Sequence, residues 1–449
     1  MKKNNKLVLK FEEVTKKDLA MVGGKNASLG EMIQDLSKKG VFIPSGFATT
    51  SYAYFKFLKD NNLESELREI FKDLDIEDIS NLQRVGRNAR KILSGASFSK
   101  EFEDEIIKAY HQMGSPDVAV RSSATAEDLP NASFAGLHET YLNVKGEKEL
   151  LESVKKCIIS LFKDRAISYR QSQGFDHFKV ALSVGVQKMV RSDIGSSGVM
   201  FTVDTESGFR NTVLINSIWG IGEMIVQGKI TPDEFYVFKP TMKQGYNSII
   251  LKNLGNKNKK YILSKKGGIK EVGVNKKDNL RFSLSDDDIM TLAKWAVIIE
   301  EHYGCPQDIE WAKDGKTGQL YIVQARPETI HSDKKGNYYE EYIIEKGHQP
   351  ILEGIAVGNK IGSGKVRVIN DVSGIGQFKR GEVLVTKMTD PDWVSIMRMA
   401  SAIITDEGGK VCHAAIIGRE LGIPVIVGSV SGTKDLKTGE TVTVDCTQG

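Results

Sequence analysis

The sequence is poor in the features that mark several large classes of protein. Its 449 residues include only four cysteines, with no paired spacing, so no disulfide framework is indicated and a reducing compartment is expected. No stretch approaches the roughly 18 consecutive apolar residues that span a bilayer. The basic start, Met1-Lys2-Lys3-Asn4-Asn5-Lys6, lacks a following apolar core of signal-peptide length. Net charge is only +4, from 62 basic and 58 acidic residues, too mild and too scattered to suggest nucleic acid. No Gly-Lys-Ser/Thr has a glycine five residues earlier (Glu310 stands there before Gly315-Lys316-Thr317), so there is no Walker A loop. A complete G-x-G-x-x-G is missing too, so a nucleotide would have to be read by some other architecture. The expectation is a cytoplasmic protein with no nucleic-acid or membrane partner; homo-oligomerisation stays open.

What is present is globular. Apolar residues make up 40% and charged residues 27%, and the length suits two or three domains. The most informative stretch runs from Thr405 to Pro424. Ala402-Ile403-Ile404-Thr405 reads as a buried strand end, Gly408-Gly409 as a tight turn, and His413 to Leu421 as a short helix stopped by Gly422 and Pro424. His413 is thereby expected on the first turn of a helix. The positive end of the dipole favours an anion there and disfavours imidazolium, so the ring should stay neutral and nucleophilic.

Upstream, Gly23-Gly24-Lys25-Asn26 precedes a helix marked by Leu29, Met32, Ile33 and Leu36, expected to begin near Asn26. Helical patterns over 52–58, 63–74, 82–93 and 102–113 form a helical subdomain. A short strand then delivers Arg121 into the small-residue turn Ser122-Ser123-Ala124-Thr125, and Ser133-Phe134-Ala135-Gly136 follows. Small residues allow backbone N–H groups close to a ligand, and arginine offers a fork for phosphate. Leu150 to Tyr169 reads as one helix with Cys157 in its apolar face. From Val180 to Lys252 short β runs dominate. Residues 307–313 and 320–327 alternate around a glycine turn and read as a hairpin. Its period of two puts Asp308 with Glu310 on one face and Gln324 with Arg326 on one face, so carboxylate, amide and guanidinium can converge. Oxygen donors of this kind suit a hard cation shared with phosphates. Taken singly, the Lys25, Arg121 and Ser133–Gly136 segments read better as solvated residues or polar surface loops, the hairpin reads as a sheet with one polar, solvated face, and Met189 reads equally well as plain core.

Together they resemble the phosphoenolpyruvate-utilising enzymes, specifically the phosphoenolpyruvate synthases (pyruvate, water dikinases). The likeness rests on Gly23-Gly24-Lys25-Asn26-Ala27-Ser28-Leu29, on Arg121 through Gly136, on Gln307 to Pro327, and on Gly408 to Pro424. It implies an α/β chain with an ATP-grasp nucleotide-binding domain over 1–330, in two subdomains that divide near 190–250. A linker over 331–349 and a swivelling β/α phosphohistidine domain over 350–449 would follow. It implies that His413 is catalytic and that ATP is held by Lys25, Arg121, Gly136, Gln187, Met189, Thr202, Glu223, Asp308, Glu310, Gln324 and Arg326. Mg²⁺ would sit on Glu310 and Gln324, with Arg165 a further phosphate contact. The reaction implied is ATP, pyruvate and water to AMP, phosphoenolpyruvate and phosphate, with pyruvate reached through a C-terminal barrel that this chain lacks or through a separate chain. Alternatives are another phosphoryl acceptor or a non-catalytic nucleotide-binding remnant. One departure is Val411: the family has threonine there, the target of regulatory phosphorylation, and valine has no hydroxyl to modify.

Overall fold

The computed structural model describes residues 3–76, 78–125, 139–328, 342–344, 349–410 and 412–447. Gly136, Val411 and most of the expected linker lie outside the described residues. Residue contacts divide the chain into two compact units. The first comprises Met1–Arg191, Leu263–Lys270 and Ile309–Arg326, and the second Ser192–Ile262, Glu271–Asp308 and Pro327–Gly449.

The first unit is built on a five-stranded antiparallel sheet in the order Val8–Lys10, Gly46–Thr49, Leu182–Lys188, Val118–Ala124, Thr140–Val144. Amphipathic helices cover it, among them Ser51–Asp60, Leu63–Phe71, Ile79–Gly95 and Lys100–Gln112. Three start on side-chain caps, from Thr50, Asp78 and Ser99. Their apolar stripes meet in one core with Leu150, Val154, Cys157, Ile158 and the sheet residues Val118, Val120, Val184 and Val186.

Two expectations are corrected here. The apolar periodicity of residues 150–169 suggests one helix, but the structure has two, Gly146–Ser160 and Asp164–Ser172. Arg90 pins the turn between them by donating to the Phe162 carbonyl at 2.8 Å and to Asp164 at 2.6 Å. The helix expected to begin near Asn26 instead starts at Leu19 and breaks at Gly23, where φ is 73° and ψ is 168°, before continuing to Asp35. A Cβ on Gly23 would collide with the Ser123 hydroxyl and carbonyl, so both the backbone angle and the close approach demand glycine.

The second unit contains an antiparallel meander of Ser196–Phe201, Thr212–Trp219, Asp233–Phe238 and Ile249–Asn253. The helix Asp286–Tyr303, opened by a Ser285/Asp288 capping box, packs on it. A separate six-stranded sheet follows the order Ile355–Val357, Val425–Val427, Ala402–Thr405, Val383–Thr386, Ile361–Val368, Thr441–Asp445. Its four central strands are parallel and its two edges antiparallel. Both faces are covered, one with Leu384, Ile403 and Val425 and the other with Val383, Val385, Ala402 and Ile404, which explains the unbroken apolar runs in those strands. The strands Ile355–Val357 and Ile361–Val368 are parted at Gly358, where φ is +83°.

Candidate active site

Two constellations stand out, one in each unit. In the first unit Arg121 lies mid-strand in Val118–Ala124, the strand next to the sheet's central strand. Its Nη2 donates to Glu310 Oε2 at 2.9 Å and to Gln324 Oε1 at 2.6 Å, and its Nη1 donates to the Val323 carbonyl at 3.1 Å. Glu310 and Gln324 come from the two strands of the hairpin, Gln307–Lys313 and Leu320–Pro327. The hairpin turn is closed by Asp314, whose carboxylate accepts from the N–H groups of Lys316 and Thr317. Burial pushes the Glu310 carboxyl up, but Arg121, then Arg326 and Lys25, outweigh it and hold the group below the usual carboxylate range. Glu310 is therefore ionised near neutrality and feels three cations.

Lys25 reaches this point because Gly23 breaks its helix. Asn26 fixes the register after the break. Its side-chain amide donates to the Val22 carbonyl at 3.0 Å and to Ser183 Oγ at 2.9 Å. Ser28 ties the same helix to the hairpin by donating to the Ala325 carbonyl at 2.8 Å. A cavity of about 10 Å³, enough for one water, is lined by Lys25, Asn26, Arg121 and Gln187. Lys25, Arg121, Glu310, Gln324 and Arg326 thus gather in one place.

The other expected nucleotide residues fall differently. Gln187 is buried in the central strand, 3% exposed, and lines that small cavity. The Met189 N–H is taken by the Asp117 carbonyl at 3.0 Å. Arg165 pairs with Glu139 at 3.2 Å, beside Lys163. In the second unit Thr202 is fully buried; its N–H donates to the Gln307 carbonyl and its hydroxyl accepts from the Gln307 N–H at 2.8 Å. Glu223 opens the short helix Glu223–Val226 and accepts from Gln227 at 2.9 Å. Asp308 is half-buried at the start of the hairpin.

The second constellation is His413, the first residue of the helix His413–Leu421, with Cys412 as an extended N-cap residue. The helix links the parallel strands Ala402–Thr405 and Val425–Val427 and begins beyond the carboxyl end of the first, where α/β sheets place ligands. His413 is 8% exposed, and its Nδ1 lies 2.9 Å from Thr389 Oγ1. Thr389 escaped the sequence reading; it is 24 residues distant in the chain, and a Thr before Asp390-Pro391-Asp392 reads only as a turn. Burial pushes the Cys412 thiol up, so it is not a competing thiolate.

Residues 19–346 match the family described as pyruvate phosphate dikinase, AMP/ATP-binding domain, and residues 378–449 the family described as PEP-utilising enzyme, mobile domain. The chain belongs to the pyruvate phosphate dikinase family. It is 53% identical to a phosphoenolpyruvate synthase of a Synechocystis species, 52% to one of Aquifex aeolicus and 50% to one of Escherichia coli. These alignments cover 99–100% of the chain and 54–57% of each relative, so the chain spans little more than half their length. The dikinase AMP/ATP-binding region thus contains every gathered residue of the first constellation, and the mobile-domain region contains both Thr389 and His413. Among the described residues no helix is long and apolar enough to cross a membrane.

Proposed function

We propose that this chain carries out the nucleotide half of a phosphoenolpyruvate synthase reaction, transferring a phosphoryl group from ATP to His413. The observation that carries the reading is the Arg121–Glu310–Gln324 cluster beside Lys25 and Arg326, in a chain that also sets an imidazole at a helix start with its Nδ1 against a threonine hydroxyl. Arg121, Lys25 and Arg326 supply the positive charge a triphosphate needs. When Nδ1–H donates to Thr389, the Nε2 lone pair is left as the nucleophile. Nε2 attacks the β-phosphorus, the bond to the α,β-bridging oxygen breaks, and AMP leaves with that oxygen. Water then takes the γ-phosphoryl group away as phosphate. The phosphoryl group left on Nε2 is passed to the enol oxygen of pyruvate, returning a free imidazole; the relatives' phosphoenolpyruvate synthase names support this last step.

The ionised Glu310 and the carbonyl oxygen of Gln324 are hard donors on adjacent strands and fit Mg²⁺, which when bound would neutralise charge on the transferred oxygens. Both oxygens accept from Arg121 Nη2, so the guanidinium holds the two groups that would bind the cation together. The family matches at 19–346 and 378–449 support a division into nucleotide domain (1–330), linker (331–349) and phosphohistidine domain (350–449). The four free cysteines fit a reducing, cytoplasmic setting.

Incubation with β-labelled ATP and magnesium tests the reading. Acid-labile label on the wild-type protein, absent from His413→Ala, is expected. A wild type that retains none, or a variant that retains as much, overturns it.

A further inference from the structure

The helix that carries His413 is fastened to the rest of its own unit near both ends. At its start, Gly228 (φ +67°) lies so close to Cys412 that a Cβ on it would stand 2.6 Å from the Cys412 Cβ. Six residues beyond His413, Arg419 forms an ion pair with Glu206 Oε1; the arginine side chain is 6% exposed. Arg419 also donates through Nη1 to the Lys410 carbonyl at 2.5 Å, bracing the turn that precedes His413. The second oxygen of Glu206 accepts the Gly358 N–H at 3.1 Å. One carboxylate therefore holds both Arg419 of the histidine helix and the backbone at Gly358.

The loop that presents Glu206 is folded in its own right. Asp204 accepts from the Ser207 N–H at 3.0 Å and from the Ser207 hydroxyl, the Gly208 N–H returns to the Asp204 carbonyl at 2.9 Å, and the Asp204 N–H donates to the Phe209 carbonyl at 3.1 Å. It connects the strands Ser196–Phe201 and Thr212–Trp219. Glu206 thus belongs to the region matched by the AMP/ATP-binding family, and Arg419 to the region matched by the mobile domain.

We propose that Glu206 and Arg419 form a docking latch, two positioning residues that hold the His413 helix against the meander during transfer from the nucleotide and separate when the phosphorylated segment leaves. The proposal rests on the function proposed above. Arg419 is buried and Glu206 half-buried, with side chains 6% and 22% exposed, so removing the carboxylate alone leaves the arginine's charge buried, whereas undocking returns both charges to water together. That gives a contact that is selective yet reversible.

Charge exchange tests the latch in the full chain. Glu206→Lys, which sets two cations together, is expected to slow labelling of His413 by roughly tenfold or more, with ATP affinity by calorimetry unchanged. Hydrogen exchange in peptides spanning Gly358 and 409–419 should accelerate. Arg419→Glu should slow labelling too, and adding Glu206→Lys to it should recover most of the loss attributable to the pair. Wild-type labelling by Glu206→Lys, or a double variant no faster than Arg419→Glu alone, overturns the latch. Hydrogen exchange separates the two readings. If the wild type fails to label at all, the function proposal falls, while the latch still stands or falls on whether Glu206→Lys exposes the Gly358 amide and the double variant protects it again.

Discussion

Arg121 Nη2 lies 2.9 Å from Glu310 and 2.6 Å from Gln324, so the side chain best suited to phosphate is tied to the two oxygens best suited to a cation. Within the cluster Arg121 and Glu310 offset each other's charge. Charge is thereby held in place at a site that must otherwise tolerate three cations around one carboxylate.

The sign of the resulting pH dependence follows from Glu310. Its folded pKa lies below its ordinary value near 4.5, so its ion pair stabilises the fold above that pH and the contribution is lost as pH falls through the folded value. Thermal unfolding of wild type and Glu310→Gln should differ at pH 7, by about 1–3 kcal/mol, and converge in the acid range. Curves separated equally at pH 7 and pH 3 contradict this.

His177, in the turn beyond the helix Asp164–Ser172, supplies a second case of the same sign in which the neutral form is the one favoured. Burial, then Arg170, lowers its pKa to about 4 from 6.5, and its Nδ1 accepts from Arg170 Nε at 3.1 Å. The unfolded chain binds this proton first, so acidification from pH 6.5 to about 4 should cost up to roughly 3 kcal/mol. His177→Gln should flatten that part of the stability profile, and the wild-type imidazole should titrate by NMR well below pH 6.

Thr389→Val removes the hydroxyl at His413 Nδ1. A loss of about ten- to a hundredfold in histidine labelling is expected, by analogy with groups that orient a ligating or reacting imidazole. Thr389→Ser should recover most of it and ATP affinity should not move. Equal labelling by the valine variant would show that the ring needs no such partner.

Gly23→Ala combines a positive φ with a collision against Ser123. Destabilisation of about 2 kcal/mol or more is expected, with ATP affinity reduced because Lys25 follows the break. Denaturant melts and calorimetry measure the two separately.

Much of this was legible in the sequence. The amphipathic helices, the hairpin that carries Glu310 and Gln324, and the histidine helix stopped by Gly422 all follow from period and punctuation. The break at 161–163 was not, because Leu161 and Phe162 prolong the apolar stripe while the cause is Arg90, some 70 residues earlier. The contact between Thr389 and His413 is equally non-local. Gln187 lies in the central strand and its side chain lines the Lys25 cavity; strand alternation alone cannot say which face holds the ligand.

Cys412 turns the start of the histidine helix into its own gauge. Its sulfur is enclosed, 3% exposed, and kept protonated by that enclosure, so alkylating reagents should pass it by while the helix stays seated. Each moment of unseating offers the thiol to solvent. The rate at which it is capped, read by mass spectrometry beside the equally buried Cys157, would then count departures of the neighbouring imidazole without any label being added to the chain.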